Sequence, residues 1–219
     1  TLLRFRRLLE THSLTQQIFA AVNYQLASKG LYLKEGTVVD ATIIAAPPST
    51  KNKSKSRDPE MRSTKKGNQY YFGMKAHIGA DAASGLVHTL VTTAANVHDV
   101  NQAHALLHGE EQQVYGDSGY LGADKREENK DKDVEWVVAM RHGKRRKLRD
   151  SGTEEGQLAD KIEKLKSRIR AKVEHPFYWV KVHFGHRKTR YRGLAKNTAH
   201  LYSLFALANL FLSKRCMPL

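Results

Sequence analysis

One cysteine, Cys216, is the only thiol in 219 residues. That excludes an intramolecular disulfide and any cysteine-based zinc cluster, and it makes a reducing cytoplasm the natural setting. Long hydrophobic runs are missing too. A membrane span needs about 20 continuous apolar residues, and the best candidate, Leu201 to Leu212, is interrupted by Ser203 and Asn209. It reads as a buried helix, so no membrane partner is expected. The opening TLLRFRRLLE has no apolar core and no small-residue cleavage site, hence no visible secretory signal. It does not start with methionine either; the first is Met61, as expected of a fragment or a processed product. Gly116, Gly119 and Gly122 do not form a phosphate-cradling P-loop. No repeat of solenoid or propeller period is visible.

Acidic residues are scarce, at 22 against 37 Lys and Arg, for a formal net charge of +15. With 40% hydrophobic and 27% charged residues the chain is a soluble globular protein with one substantial core. The excess charge favours polyanionic partners. It is also concentrated. Residues 51–75 hold eight basic and two acidic residues, 141–196 hold 18 and six, and the stretch 76–140 between them holds four and 11. The first basic block follows Pro47 and Pro48 and reads as a mobile loop. The second, from Arg141, contains Gly143, Gly152 and Gly156 and reads as an irregular excursion.

Ahead of the first block, Thr37 to Ile44 (TVVDATII) is a β-branched run that predicts a strand buried on both faces. Tyr70 to Ile78 and Leu86 to Thr93, joined by a turn-rich segment, predict a hairpin extending that sheet, with Tyr70, Tyr71 and Phe72 packing rather than stacking on bases. A helix is expected from His98 to His108 with Asp99 as its cap, then a strand at 112–115, a polar helix at 123–130, and a strand at 134–140 with Trp136 in the core. Leu158, Ile162, Leu165, Ile169 and Val173 form one apolar helical stripe, and Pro176 kinks or restarts that helix. Near the start, Leu2, Phe5, Leu8 and Leu9 share a helix face.

Three carboxylates stand out. Asp40 lies inside the apolar strand, where an ionised carboxylate costs several kcal/mol unless something positive faces it; a structural salt bridge is the plain alternative. Asp117 sits just past a strand end between Gly116 and Ser118, in a crevice position, or simply in an Asx turn. Glu174 adjoins the apolar stripe, or pairs on the surface with Lys172 or Arg170. Together, two strand-borne Asp and one helical Glu can converge on hard divalent cations. Two such ions activate an attacking oxygen and stabilise a leaving oxygen in phosphodiester chemistry. A weaker constellation is a zinc site from His98, His104 and His108; HisAlaLeuLeuHis at 104–108 lacks the Glu of a metalloprotease motif.

The segments around Asp40 (Val38 to Thr42), Asp117 (Tyr115 to Tyr120) and Glu174, with Phe184 to Asn197, resemble the bacterial insertion-sequence transposases of the DDE type. The resemblance covers nearly all of residues 37–215, with the carboxylates 77 and 57 residues apart. It implies a ribonuclease H-like α/β fold: a mixed sheet with an antiparallel start, flanked by helices, with a basic insertion before the last catalytic helix. The implied organisation is a helical segment over 1–36, a catalytic core over 37–199 (basic loop 47–68, basic insertion 141–157) and an apolar helix over 200–219. Family members usually carry a further end-recognition domain ahead of the first Asp, and this chain is expected to lack it.

The resemblance further implies that Asp40, Asp117 and Glu174 hold two Mg²⁺ ions, with Mn²⁺ as a substitute. Arg170 and Lys181 would contact phosphates near the scissile bond, and Lys188, Arg190, Arg192 and Lys196 the DNA backbone beyond it. Ser167 stands where this branch of the family has Tyr. The implied activity is metal-dependent cleavage at transposon ends and strand transfer into target DNA, by a homodimer or larger assembly on DNA in the cytoplasm. A non-catalytic DNA-binding relic and an endonuclease that cuts without joining are the competing readings.

Overall fold

The computed structural model describes residues 1–32 and 35–216; the last three residues of the expected C-terminal segment, 217–219, lie outside them. Two helices, α1 (Leu2–Thr11) and α2 (Leu14–Ser28), precede strands β1 (Gly36–Ala45), β2 (Arg62–Lys66), β3 (Gln69–Asp81) and β4 (Val87–Ala94). A 3-10 segment (Asp99–Leu106), β5 (Gln113–Gly116), α3 (Glu127–Lys130) and β6 (Glu135–Val138) follow. The chain closes with α4 (His142–Asp150), α5 (Glu154–Arg170), α6 (Glu174–Tyr178) and α7 (Leu194–Cys216).

These strands make one mixed sheet of six. β3 pairs antiparallel with β1, β2 and β4, while β5 runs parallel to β1 and β6 parallel to β5. This is the ribonuclease H-like arrangement, antiparallel at its start and parallel beyond. β1 lies inside the sheet with helical elements on both sides, which is why its apolar run is nearly continuous. Val38 and Val39 point to opposite faces and both are fully buried. On the Val38 side, Ile44, Met74 and Ile78 pack against Val173, Phe177, Val180, Leu201 and Phe205. On the Val39 side lie Ala103, Leu106, Val114, Tyr120 and Ala123. Gly79 permits the close approach of the 3-10 segment, since a Cβ there would run into the Leu106 carbonyl and the His88 ring.

The polar interruption of the last apolar run has a packing reason. Asn209 on α7 accepts the Val87 N–H at 2.9 Å and donates to the Val87 carbonyl at 2.7 Å and to Asn23 Oδ1 at 2.9 Å. One buried amide thus ties α7 to β4 and α2. Among the described residues no helix is long and apolar enough to cross a membrane.

Several local expectations are corrected. The basic loop after Pro48 is anchored: Met61 is buried, β2 forms within the block, and Asp58 and Glu60 accept the Gly193 and Leu194 N–H groups at 2.6 and 2.7 Å. Those amides are the unsatisfied donors at the start of α7, where carboxylates are favoured. The second basic block is two helices rather than an irregular excursion. Gly152 takes a left-handed φ of +69° between them, and Thr153 caps α5 by accepting the Gly156 N–H at 3.1 Å. The apolar stripe of α5 is buried only at its end. Leu158, Ile162 and Leu165 are 61%, 46% and 57% exposed, because α5 turns the opposite side, with Asp160 and Glu163, toward α4 and Met140. Asp160 pairs there with Arg145 and Lys164, at 2.9 and 2.8 Å.

Candidate active site

The parallel register of β1 and β5 sets the first two carboxylates side by side. Val38 is opposite Tyr115, and Asp40 and Asp117 each lie two residues further along, on the same side of the pleat. That is the carboxyl end of the parallel strands, where open α/β sheets form ligand crevices. Asp40 is half-buried and its Oδ1 accepts the Ala41 N–H at 2.7 Å. Asp117 caps the short turn Ser118–Tyr120 by accepting the Gly119 N–H at 2.8 Å. The Asx turn is therefore real, and it steers the carboxylate instead of ruling out a site.

Glu174 reaches the same place from the other direction. α5 ends at Arg170, one 3-10 turn (Ala171–Val173) follows, and Val173 is fully buried in the cluster that contains Val38 and Ile78. Ile78 is the strand partner of Asp40. Val173 thus pins the turn beside Asp40 and leaves the next side chain, Glu174, exposed at the rim.

Electrostatics record the convergence. Burial pushes the Asp40 carboxyl up from 3.8 to about 7. The negative charges of Asp117 and Glu174 push in the same direction, while the Ala41 N–H and the Arg170 guanidinium oppose it. Three of the expected site residues, Asp117, Glu174 and Arg170, thus lie close enough to act on the fourth. Tyr120 reports the same cluster from below. Its phenol is held well above its ordinary value by burial and by Asp40, Asp99 and Asp117, and its buried hydroxyl has no hydrogen-bond partner among the described residues.

Asp99 was missed as a site residue and expected only as a helix cap. It makes no such cap. Its Oδ1 instead pairs with Lys75 at 2.9 Å, and Lys75 also donates to the Val97 carbonyl at 2.7 Å. Asp99 Oδ2 and Asp117 Oδ1 lie 3.7 and 2.8 Å from the point where a Cβ on Gly119 would stand. A fourth carboxylate thus lies beside Asp117. The signal available in the sequence was Lys75, as anomalous in its apolar strand as Asp40 is in β1.

Lys181 is half-buried and its ammonium is shifted down by burial and by Lys66, against a partly compensating pull from Glu174. Lys188, Arg190, Arg192 and Lys196 are all exposed. Lys188 is stitched to the end of β1, where Thr189 N–H donates to the Ala45 carbonyl at 2.8 Å. Arg192 reaches back to the basic loop, donating to Ser54 and Ser56 Oγ at 3.2 Å. Lys196 lies apart, beside Glu10 and Gln16 in the groove between the N-terminal helices and α7. Ser167 donates to the Glu163 carbonyl of its own helix at 2.8 Å.

A family model described as Transposase DDE domain matches residues 32–210. The chain belongs to the DDE transposase family. The matched span contains all three carboxylates, and the family implies DNA as substrate and a divalent metal as cofactor. No solved structure matches the chain. Of the histidines weighed for zinc in this transposase, His108 enters a ligand-type cluster, and its partners there are His88 and Glu111 rather than His98 and His104.

Proposed function

We propose that this DDE transposase cleaves DNA at transposon ends and joins the freed 3′-hydroxyl to target DNA, with Asp40, Asp117 and Glu174 as the catalytic carboxylates. The observation that carries this reading is the penalty on Asp40: a carboxylate already disfavoured by burial also feels the negative charges of two further carboxylates. Such convergence is costly without a cation, and an all-oxygen donor set suits Mg²⁺ or Mn²⁺. The unpartnered Tyr120 hydroxyl beneath the cluster fits a pocket completed by ions and their waters. Two ions held by Asp40, Asp117 and Glu174 would activate the attacking oxygen and offset charge on the leaving oxygen.

The chain's own residues supply the rest. Arg170 presents a fork of donors suited to a phosphate, and Lys181 a point charge. Lys188, Arg190 and Arg192, on a segment attached to the end of β1, follow the backbone away from the scissile bond; Lys196 extends that track onto α7. Hydrolysis frees a 3′-hydroxyl, which then displaces a target-strand oxygen, so one phosphodiester replaces another and no nucleotide cofactor is consumed.

An assay with Mg²⁺ and a labelled oligonucleotide bearing the end of the element that encodes the chain tests this. Joined products are expected. Nicks without joining would assign a simple endonuclease, and metal-independent binding alone a non-catalytic relic.

A further inference from the structure

We propose that His88, His108 and Glu111 form a second metal site, separate from the carboxylate pocket, for a divalent transition ion of the zinc class. One potential ligand atom from each residue lies within 4.8 Å of the other two. The residues come from two places: His88 from β4, and His108 and Glu111 from the loop between the 3-10 segment and β5. Two imidazoles and one carboxylate, leaving a fourth position open, are a donor set for Zn²⁺, Co²⁺ or Ni²⁺ and a poor one for Mg²⁺.

The surroundings hold the ligands in place. Glu111 is only 8% exposed, and its oxygens accept N–H bonds from His108 and Gly109 at 2.6 and 2.7 Å and the Thr37 hydroxyl at 3.1 Å. Among the described residues its one ion-pair partner is His108, at 3.5 Å. Among the described residues no Lys or Arg pairs with this buried carboxylate; hydrogen bonds alone hold its charge, and its position between two imidazoles suits a cation. His88 has Nδ1 2.9 Å from Thr89 Oγ1 and Nε2 3.1 Å from Thr37 Oγ1, beside Glu111. A hydrogen-bonded Nδ1 with Nε2 facing the ion is how metal-binding imidazoles are oriented. The two rings stand edge to face, 4.9 Å between centroids.

Proton positions define what binding changes. Without metal, His108 Nδ1 accepts the Glu110 N–H at 3.1 Å, and His88 Nε2 donates to Thr37. On binding, each neutral ring shifts its proton from Nε2 to Nδ1. Thr89 then accepts from His88, and His108 gives up the Glu110 amide, which is exposed and can turn to water. No net proton is released. Ligand atoms must also draw together, to roughly 3.3 Å for bonds of about 2.0–2.1 Å. His108 and Glu111 share one short loop with a left-handed Gly109 (φ +94°), so closure falls on the most adaptable part of the cluster. The ion would then clamp the loop that leads into β5, the strand that ends just before Asp117. None of this depends on the catalytic assignment.

Titrating the full chain with Co²⁺ tests the site, because low-coordinate Co²⁺ absorbs visibly. One equivalent should produce the band, Zn²⁺ should displace it, and excess Mg²⁺ should not. His88→Gln and His108→Gln, checked for folding by circular dichroism, should each weaken Co²⁺ binding by at least about tenfold and cancel the rise in Tm produced by Zn²⁺. Asp117→Asn should leave the band unchanged. The proposal is overturned by a wild-type chain that gives no band with stoichiometric Co²⁺, by a band that survives both histidine substitutions, or by its loss in Asp117→Asn.

Discussion

Replacing Asp40 by asparagine should abolish cleavage and yet stabilise the metal-free protein. With a folded-state pKa of about 7 against 3.8 for a free aspartate, the folded chain keeps a proton that the unfolded chain has lost. Stability therefore falls as pH rises from about 4 to about 7, and the whole penalty applies above that. Three pK units correspond to about 4 kcal/mol; partial solvent access to a half-buried group reduces this to about 2 kcal/mol. Asparagine removes the charge at nearly constant volume, and its Oδ1 can still accept the Ala41 N–H, now at 2.7 Å. Urea unfolding of both proteins at pH 8 with chelator should show the variant more stable by about 2 kcal/mol, or roughly 4–8 °C in Tm for a chain of this size. The difference should shrink towards zero as pH approaches 4. Saturating Mg²⁺ should stabilise the wild type and leave the variant unmoved. A variant no more stable than wild type at pH 8, or a difference that ignores pH, would refute the reasoning.

Asp99→Asn should lower cleavage with DNA binding retained, and cost only about 1 kcal/mol in urea unfolding, since its pair with Lys75 at 2.9 Å is partly solvated. Neutralising Arg190 and Arg192 together should reduce the slope of log Kobs against log salt by about 1–2, read by fluorescence anisotropy. Because Arg192 also holds Ser54 and Ser56, the same variant should be cut faster by protease at 51–57. Asn209→Leu should cost about 2–4 kcal/mol, because both backbone groups of Val87 and the Asn23 side chain lose a buried partner.

Much of the fold was legible because its signals are local. A nearly continuous β-branched run can only be a strand covered on both faces, and the hairpin and the final apolar helix follow from alternation and from length. Asp40 and Asp117 were legible as anomalies, a charge in an apolar strand and an Asp at a strand end. What stayed hidden depends on tertiary pairing. Periodicity marks α5 as amphipathic without revealing which side meets the protein, so Leu158, Ile162 and Leu165 were expected inside and are exposed. The helix in 142–150 was masked by its charge density and Gly143, although Arg146 and Asp150 pair at i, i+4. Asp99 with Lys75, and His88 with His108 and Glu111, meet across 24, 20 and 23 residues of chain. No local pattern encodes those meetings; the β3–β4 register and the 3-10 segment against Gly79 create them.

Joint action of three carboxylates on a DNA phosphodiester can be read out as Mg²⁺-dependent strand cleavage in Asp40→Ala, Asp117→Ala and Glu174→Ala beside the wild type, with DNA affinity measured on the same samples. Cleavage should fall by roughly a thousandfold or more in each variant while affinity stays within about threefold of wild type. Near-normal cleavage in any one of them would contradict joint action.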